Sequence, residues 1–333
     1  MKIAILHGEI PQDAPPDEQD TLEQMGSVSA SLATLGHEVE RVPFSMDLNR
    51  AAQTLKAIGP DAVFNLVDSV NGAGRLIHLA PTLLDYLGLP YTGSKTEAIF
   101  ITSSKLAAKK MMMSAGLPTP KWFTLGSNGN GEAFSGRYIV KSMWEHASVG
   151  LDEDSVIDAA RPGKLRDVIN EKSERLGGEW FAEEYIDGRE FNISVIAGEG
   201  GPTVLPPAEI VFEGYKRDKL KVVGYRAKWI EDSFEYTHTP RTFEFATNDA
   251  PVLERLRELS SECWKLFGLK GYVRVDYRVD EAGNPYILEV NANPCITTYG
   301  GFASAAGMGG ISYDAMIGRI LEDAFSREYE RHP

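Results

Sequence analysis

Cysteine, basic charge, long apolar runs and histidine clusters are all scarce in this chain. Two cysteines, Cys263 and Cys295, in 333 residues cannot build a disulfide framework and suit a reducing compartment. The six histidines show no ligand spacing, and none is joined to an acidic or cysteine motif, which argues against a zinc site or a Cys-His nucleophile. Lys plus Arg is 34 against 48 Asp plus Glu, a formal charge of −14, so a nucleic-acid partner is not expected. No apolar run approaches the ~20 residues of a membrane-spanning helix. The run Ile3-Ala4-Ile5-Leu6 is too short for a secretory signal core and reads as a buried first strand. No membrane association and a cytoplasmic location are therefore the expectations. The first strand is not followed by G-x-G-x-x-G, and Asn128-Gly129-Asn130-Gly131 precedes a strand, so it reads as a turn and not a P-loop.

What is present is ordinary globular material, 43% hydrophobic and 25% charged, in a chain long enough for two or three domains. The first hundred residues alternate strand and helix: a strand at Ile3–Leu6, and a helix opening at Asp20 with Glu23 in capping-box spacing and ended by Gly36. Its apolar positions Leu22, Met25, Leu32 and Leu35 predict one buried face. A strand Glu38–Val42, a helix Leu48–Ile58, a strand Ala62–Val67 and a helix Leu76–Leu87 follow, a βαβαβα pattern that implies a parallel sheet with helices on both faces. From Ser104 the texture changes to a helix Lys105–Ala115, strands Lys121–Leu125 and Tyr138–Ser142, a mobile loop Trp144–Gly150 and a helix Leu165–Leu176. Then come antiparallel strands Phe181–Tyr185, Glu190–Ala197, Val204–Ile210 and Tyr225–Trp229, a helix Pro251–Phe267, strands Tyr272–Val279 and Tyr286–Asn291, and a helix Tyr313–Phe325 capped by Ser312.

The most informative local pattern is Arg274-Val275-Asp276 followed by Glu289-Val290-Asn291. Residues two apart share a strand face, so Arg274 and Asp276 point away from Val273, Val275 and Tyr277, and Glu289 and Asn291 away from Leu288 and Val290. Turn residues Asp280, Gly283, Asn284 and Pro285 fold the strands into a hairpin. If Val279 faces Tyr286, then Asp276 faces Glu289 and Arg274 faces Asn291. Opposed carboxylates destabilise a sheet, and a divalent cation offsets that; these hard oxygen donors suit Mg²⁺ better than Zn²⁺. A solvated face on which Arg274 neutralises one acid explains the same pattern. Lys105, Lys141 and Lys228 stand at element ends, where a surface role and a phosphate-binding role are both open.

In order along the chain, these segments resemble the ATP-grasp superfamily, most closely the D-alanine–D-alanine ligase family. The resemblance runs through Gly88–Ser94, Lys105–Lys109 with Ala115-Gly116-Leu117-Pro118, Val140-Lys141 with His146–Gly150, and Glu183–Phe191. It continues through Leu205–Ile210, Ala227-Lys228-Trp229, Gly271–Asp276 and Glu289–Pro294. It implies mixed α/β and α+β architecture: an ATP-grasp fold behind a Rossmann-like parallel-sheet domain. The expected division is 1–103 for that substrate domain, 104–187 for a central lid and 188–333 for the catalytic domain.

The resemblance further implies an ATP-dependent ligase that joins two amino-acid-like substrates through an acylphosphate. ATP and Mg²⁺ are the expected cofactors, with Mn²⁺ acceptable, and a homodimer is the family's habit. A carboxylate kinase, or a nucleotide-binding protein without catalysis, are the alternatives. By the same resemblance, Lys105, Lys141 and Lys228 neutralise phosphates. Glu183, Glu184 and Ile186 belong to the adenine segment, and Glu190 takes the ribose. Asp276, Glu289 and Asn291 hold metal, Arg274 and the Gly301 N–H stabilise an oxyanion, and Ser148 closes a loop over the site. The departures gather at the substrate end. Asp68–Arg75 replaces a His-Gly-rich loop, Asp17 or Glu18 stands in for an ammonium-binding Glu, Cys295 replaces a Gly, and Gly300-Gly301 replaces a carboxylate-gripping Ser-Leu pair.

Overall fold

The computed structural model describes residues 1–11, 14–126, 136–145, 147–159, 162–198 and 200–326, with the side chains of Asp17 and Pro162 left out. His146 and most of the Gly/Asn-rich loop lie outside the described residues.

The chain opens with β1 (Lys2–Gly8), α1 (Pro16–Thr34), β2 (Glu38–Phe44), α2 (Leu48–Ile58), β3 (Ala62–Asn65), α3 (Leu79–Leu87) and α4 (Thr96–Ser103). The three strands form a parallel sheet in the order β2-β1-β3. β1 and β3 read as continuous apolar runs because both of their faces are covered: α1 and elements near the C-terminus on one side, α2 and α3 on the other. Gly59 ends α2 at a φ of +58, the left-handed conformation that glycine adopts without steric cost.

α1 begins four residues before the expected Asp20, with Pro15 at its cap and Pro16 in its first turn. Asp20 and Glu23 do not cap it; both carboxylates receive the Tyr299 hydroxyl from across the molecule. The buried stripe also differs from the expected one. Leu22 and Leu35 are exposed, while Thr21, Gln24, Met25, Val28, Ser31 and Leu32 turn inward at helical spacing. Polar residues occupy this stripe because they have partners: Thr21 donates to Asp68, Ser31 to Asp314, and Gln24 accepts from the Ile296 N–H.

The second unit runs α5 (Lys105–Ser114), β4 (Trp122–Phe123), β5 (Arg137–Ser142), β6 (Val156–Asp158), α6 (Pro162–Leu176) and β7 (Trp180–Glu184). Its four strands form an antiparallel sheet in the order β4-β7-β5-β6, backed by α6. The third unit contains β8 (Arg189–Ile196), β9 (Thr203–Val204), β10 (Ala208–Ile210), α7 (Tyr225–Trp229), α8 (Phe234–Thr237) and β11 (Arg241–Thr242). It continues through α9 (Ala250–Leu266), β12 (Tyr272–Val279), β13 (Pro285–Asn291), α10 (Gly301–Met308) and α11 (Tyr313–Asp323). Its sheet runs β11-β10-β8-β12-β13, with β9 also on β8, and α4, α5 and α9 cover one face.

Two strand expectations fail here. Val204–Ile210 divides into β9 and β10 around Pro206 and Pro207, which cannot donate to a ladder. Tyr225–Trp229, whose alternation suggested a strand, is the short helix α7. It is fixed by its neighbours: the Tyr225 N–H donates to the Leu151 carbonyl, the Arg226 N–H to Asp152, and the Trp229 indole to the Ala147 carbonyl. Local periodicity over five residues carries no knowledge of that docking surface.

Candidate active site

Between the antiparallel sheet of β5 and β7 and the face of β8, β12 and β13 lies a cleft that is partly open to solvent. Lys105, Lys141, Ser148, Glu183, Glu184, Ile186, Glu190, Lys228, Asp276 and Glu289 all line it, although they come from five stretches of chain. Arg274, Asn291 and Gly301 are not among its lining residues. Arg274 and Asn291 continue the Asp276 and Glu289 faces two residues along the same strands, paired with each other. Lys228 reaches the cleft from α7, not from a strand end.

The charges in the cleft are matched in pairs. Glu183 is almost wholly buried, forms an ion pair with Lys109 at 2.8 Å and accepts from Lys141. Burial alone would raise its pKa, but the two ammonium groups overcome that and hold it below the ordinary value. Burial pushes the pKa of Lys109 down against the pull of Glu183. Lys105 donates to the Glu145 carbonyl at 2.6 Å and lies 3.8 Å from Glu289; burial lowers its pKa as well. Lys228 is lowered first by burial and then by the Arg274 guanidinium. Burial raises Glu190 despite Arg278, which sits 2.9 Å from it. Several cations desolvated around one cleft, with their fields unspent on surface partners, form a receptacle for a polyanion.

The loop after β5 is held against α7 and the segment before it. Ser148 donates to the Val223 carbonyl at 3.1 Å, while Ala147 and Ser148 adopt positive φ values of 59 and 61. Such strain in non-glycine residues persists only where the surroundings over-determine it. Gly150 completes the turn at φ +66, with the Trp180 ring so close that a β-carbon would fall 2.7 Å from it.

In the hairpin, Asp276 faces Glu289 and Arg274 faces Asn291, as the sequence predicts. The register then slips: Tyr277 pairs with Ile287 and Val279 with Pro285, not with Tyr286. The extra residue is Leu288, a β-bulge that lets Leu288 and Glu289 both reach the cleft. Strict alternation could not foresee it.

The expected carboxylate repulsion is relieved in part by protein groups. Arg274 grips both Asp276 oxygens at 2.7 and 2.8 Å, and Asn192 donates to Oδ1 at 2.8 Å. Among the described residues no three His, Cys, Asp or Glu side chains converge into a metal cage. Two carboxylates and the Asn291 amide on one strand face do fit Mg²⁺, which keeps part of its shell for phosphate oxygens and needs no all-protein cage.

The model of the D-alanine–D-alanine ligase C-terminus matches residues 111–322. The chain belongs to the D-alanine–D-alanine ligase family. The ligase of Moorella thermoacetica is 29% identical over 97% of this chain and 98% of its own length. That of Cupriavidus metallidurans is 32% identical over 89% and 85%. An uncharacterised Sinorhizobium fredii protein, y4sG, is 28% identical over 96% and 92%. The fold superposes on the Bacillus anthracis D-alanine–D-alanine ligase complexed with ATP with a TM-score of 0.72 at 22% identity, covering 97% of both chains. The fold is therefore ATP-grasp, and the protein is an ATP-dependent ligase that forms C–N bonds.

Three buried or paired ionisable residues escape the sequence reading. Lys109 was noted only as part of a helix, yet its ammonium is fully buried on Glu183; its i, i+4 spacing from Lys105 was the available signal. Arg278 extends the Arg274–Asp276 face by two more residues, holds Glu190 and donates to the Gly188 carbonyl at 3.1 Å. Asp68 lies in the loop where the family motif is replaced; it accepts from Thr21 at 2.9 Å, and burial raises its pKa to about 6. Of the two candidates for the ammonium-binding acid, Glu18 is half-buried beside Gly72, and the Asp17 side chain lies outside the described residues.

Proposed function

We propose that the protein uses ATP to phosphorylate the carboxylate of one amino acid or amino-acid-like substrate and delivers the amine of a second to the resulting acylphosphate. The observation that carries this reading is the convergence of Lys105, Lys141 and Lys228 on the same cleft as Asp276 and Glu289. Bringing a carboxylate against a triphosphate costs about 4 kcal/mol per pair of unit charges at ~4 Å and an effective dielectric near 20. The three lysines and Arg274 offset that repulsion. Glu190, oriented by Arg278, accepts from the ribose, and backbone groups at Glu183, Glu184 and Ile186 meet the adenine. Asp276, Glu289 and Asn291 would hold Mg²⁺, which when bound neutralises and aligns the β- and γ-phosphates. Arg274 and the Gly301 N–H receive the oxyanion of the tetrahedral intermediate. The loop carrying Ser148 excludes water, which would hydrolyse the acylphosphate. Residues 1–103 act as the substrate domain, 104–187 as the lid and 188–333 as the catalytic domain.

The test is a panel of amino acids of both chiralities, taken in pairs, with ADP release and mass spectrometry of the products. A coupled product from at least one pair is expected; ADP release without coupling would favour a carboxylate kinase. The named relatives make D-alanine the first substrate to try. Because Gly300-Gly301 replaces the family's carboxylate grip, D-alanine alone is expected to turn over slowly beside a better acceptor. ATP should raise the melting temperature with Mg²⁺ and far less with EDTA.

A further inference from the structure

Any amino-acid acceptor brings a carboxylate that does not react and must be held while its amine attacks. The cations of the ATP cleft are engaged with Glu183, Glu289, Asp276 and Glu190 or directed at phosphates. One guanidinium near the reaction centre is not. Arg241 heads the edge strand β11, where it pairs with Ile210, and Ile210 in turn pairs with Glu190. Directly opposed residues share a face, so Arg241 belongs to the sheet face that carries Glu190, Arg278 and Asp276. Arg274 and Cys295 lie within electrostatic reach of it. Among the described residues no Asp or Glu comes within ion-pair distance of Arg241, and its polar contact is a long 3.4 Å bond to the Ser304 hydroxyl.

The position of this guanidinium explains a sequence departure. A β-carbon on Gly301 would come within 3.1 Å of Arg241 Nη2 and 3.3 Å of both Cζ and Nε. Three guanidinium atoms at nearly equal distance mean that the group lies face-on against residue 301, and a side chain there would displace it. The absence of a side chain at 301 and the presence of Arg241 are thus one arrangement, whereas a β-carbon at 300 would instead meet Thr297.

We propose that Arg241 is the specificity-determining residue that binds the free carboxylate of the acceptor substrate, in place of the neutral side-chain grip that Gly300-Gly301 lacks. This rests on the ligase reading above. A guanidinium recognises a carboxylate by two parallel charge-assisted bonds, which a carboxamide cannot reproduce. The acceptor is therefore an α-amino acid or a peptide with a free carboxylate, and not an amine or an amino-acid amide.

The experiment compares wild type, Arg241→Met and Arg241→Lys. Each is assayed with the amino-acid panel as acceptor in free-acid and carboxamide form. Hydroxylamine replaces the acceptor in a parallel arm, trapping the acylphosphate as a hydroxamate and reporting the donor half alone. Wild type should prefer the free acid by about 30-fold or more. Arg241→Met should raise the acceptor KM by at least about 30-fold and abolish the preference, with donor KM and hydroxamate rate within threefold. Arg241→Lys, which keeps the charge but not the fork, should recover part of the loss. Equal use of acid and amide by wild type, an unchanged acceptor KM in Arg241→Met, or an equal loss in both arms would each overturn the assignment while leaving the ligase reading intact. No ADP release from wild type with any pair would remove both.

Discussion

The two halves of the active-site region are built on opposite electrostatic plans. On the proposed nucleotide side nearly every acid has a base: Glu183 with Lys109 and Lys141, Glu289 with Lys105, Glu190 with Arg278, Asp276 with Arg274. On the proposed substrate side Asp20, Glu23 and Asp68 share neutral hydroxyl partners, Tyr299 and Thr21, and among the described residues no Lys or Arg pairs with them. Arg241 stands apart, with no acid in ion-pair reach among the described residues. A paired site is prearranged for a ligand of known charge, whereas an unpaired site waits for the ligand to supply the missing charges.

The comparison breaks most sharply at Glu183. Glu183→Gln leaves the fully buried Lys109 ammonium without its counter-charge, and removing one partner of such a pair costs about 3–5 kcal/mol. Chemical denaturation should show that loss, and the Lys109→Met, Glu183→Gln double variant should recover much of it. A loss below ~1 kcal/mol in the single variant would mean that the paired half is not prearranged in the way described.

The second expected effect concerns Asp276. From sequence alone, Asp276→Asn relieves a repulsion with Glu289 and stabilises the apoprotein. The structure reverses that sign, because the carboxylate is engaged twice by Arg274 and once by Asn192. The apoprotein should lose about 1–3 kcal/mol, and turnover should fall by roughly 10²-fold. If Asp276 is a metal ligand, the Mg²⁺ concentration for half-maximal activity also rises. A destabilised variant with unchanged Mg²⁺ dependence would leave Asp276 a partner of Arg274 alone.

The same contrast governs how much the sequence discloses. β12 and β13, the βαβ opening and the facing of Asp276 and Glu289 follow from period-two and period-3.6 patterning, because those elements bury one face against a large core. What eludes sequence reasoning depends on contacts distant along the chain. The Leu288 bulge changes the register within the hairpin. α7 takes its shape from the loop at 147–152. Asp20 points at Tyr299, 279 residues away, and so does not cap a helix. Lys109 becomes a buried charge only when β7 brings Glu183 to it. That Lys105, Lys141, Glu183, Glu190 and Lys228 share one cleft is legible through motif order. Arg241 is legible only once Gly301 is seen beneath it.

The smallest expected effect sharpens the substrate side, and it lies in the pH dependence of stability. Asp68 titrates near 6 in the folded protein, raised by burial and secondarily by Asp20, while the Thr21 hydroxyl and backbone N–H groups pull the other way. Its unfolded value is near 3.8. Between these values the folded state binds the proton more tightly than the unfolded chain, so stability falls as pH rises from about 4 to 6. Above pH 6 the full penalty of an ionised, desolvated carboxylate remains. Asp68 is half-buried, not sealed, so solvent screening reduces that penalty to about 1–2 kcal/mol. Asp68→Asn keeps an acceptor for Thr21 and removes the charge. It should therefore stabilise the protein by that amount at pH 7, do little at pH 4, and flatten the profile between. A substrate ammonium bound beside Asp68 would supply the missing counter-charge, so an amino acid that binds there should lower the Asp68 pKa and stabilise wild type more than Asp68→Asn at pH 7. Denaturation curves at pH 4, 5, 6 and 7 with and without that amino acid decide it. A wild-type profile parallel to that of Asp68→Asn across this range would show that Asp68 is already satisfied, and that the substrate half is not waiting for a cation there.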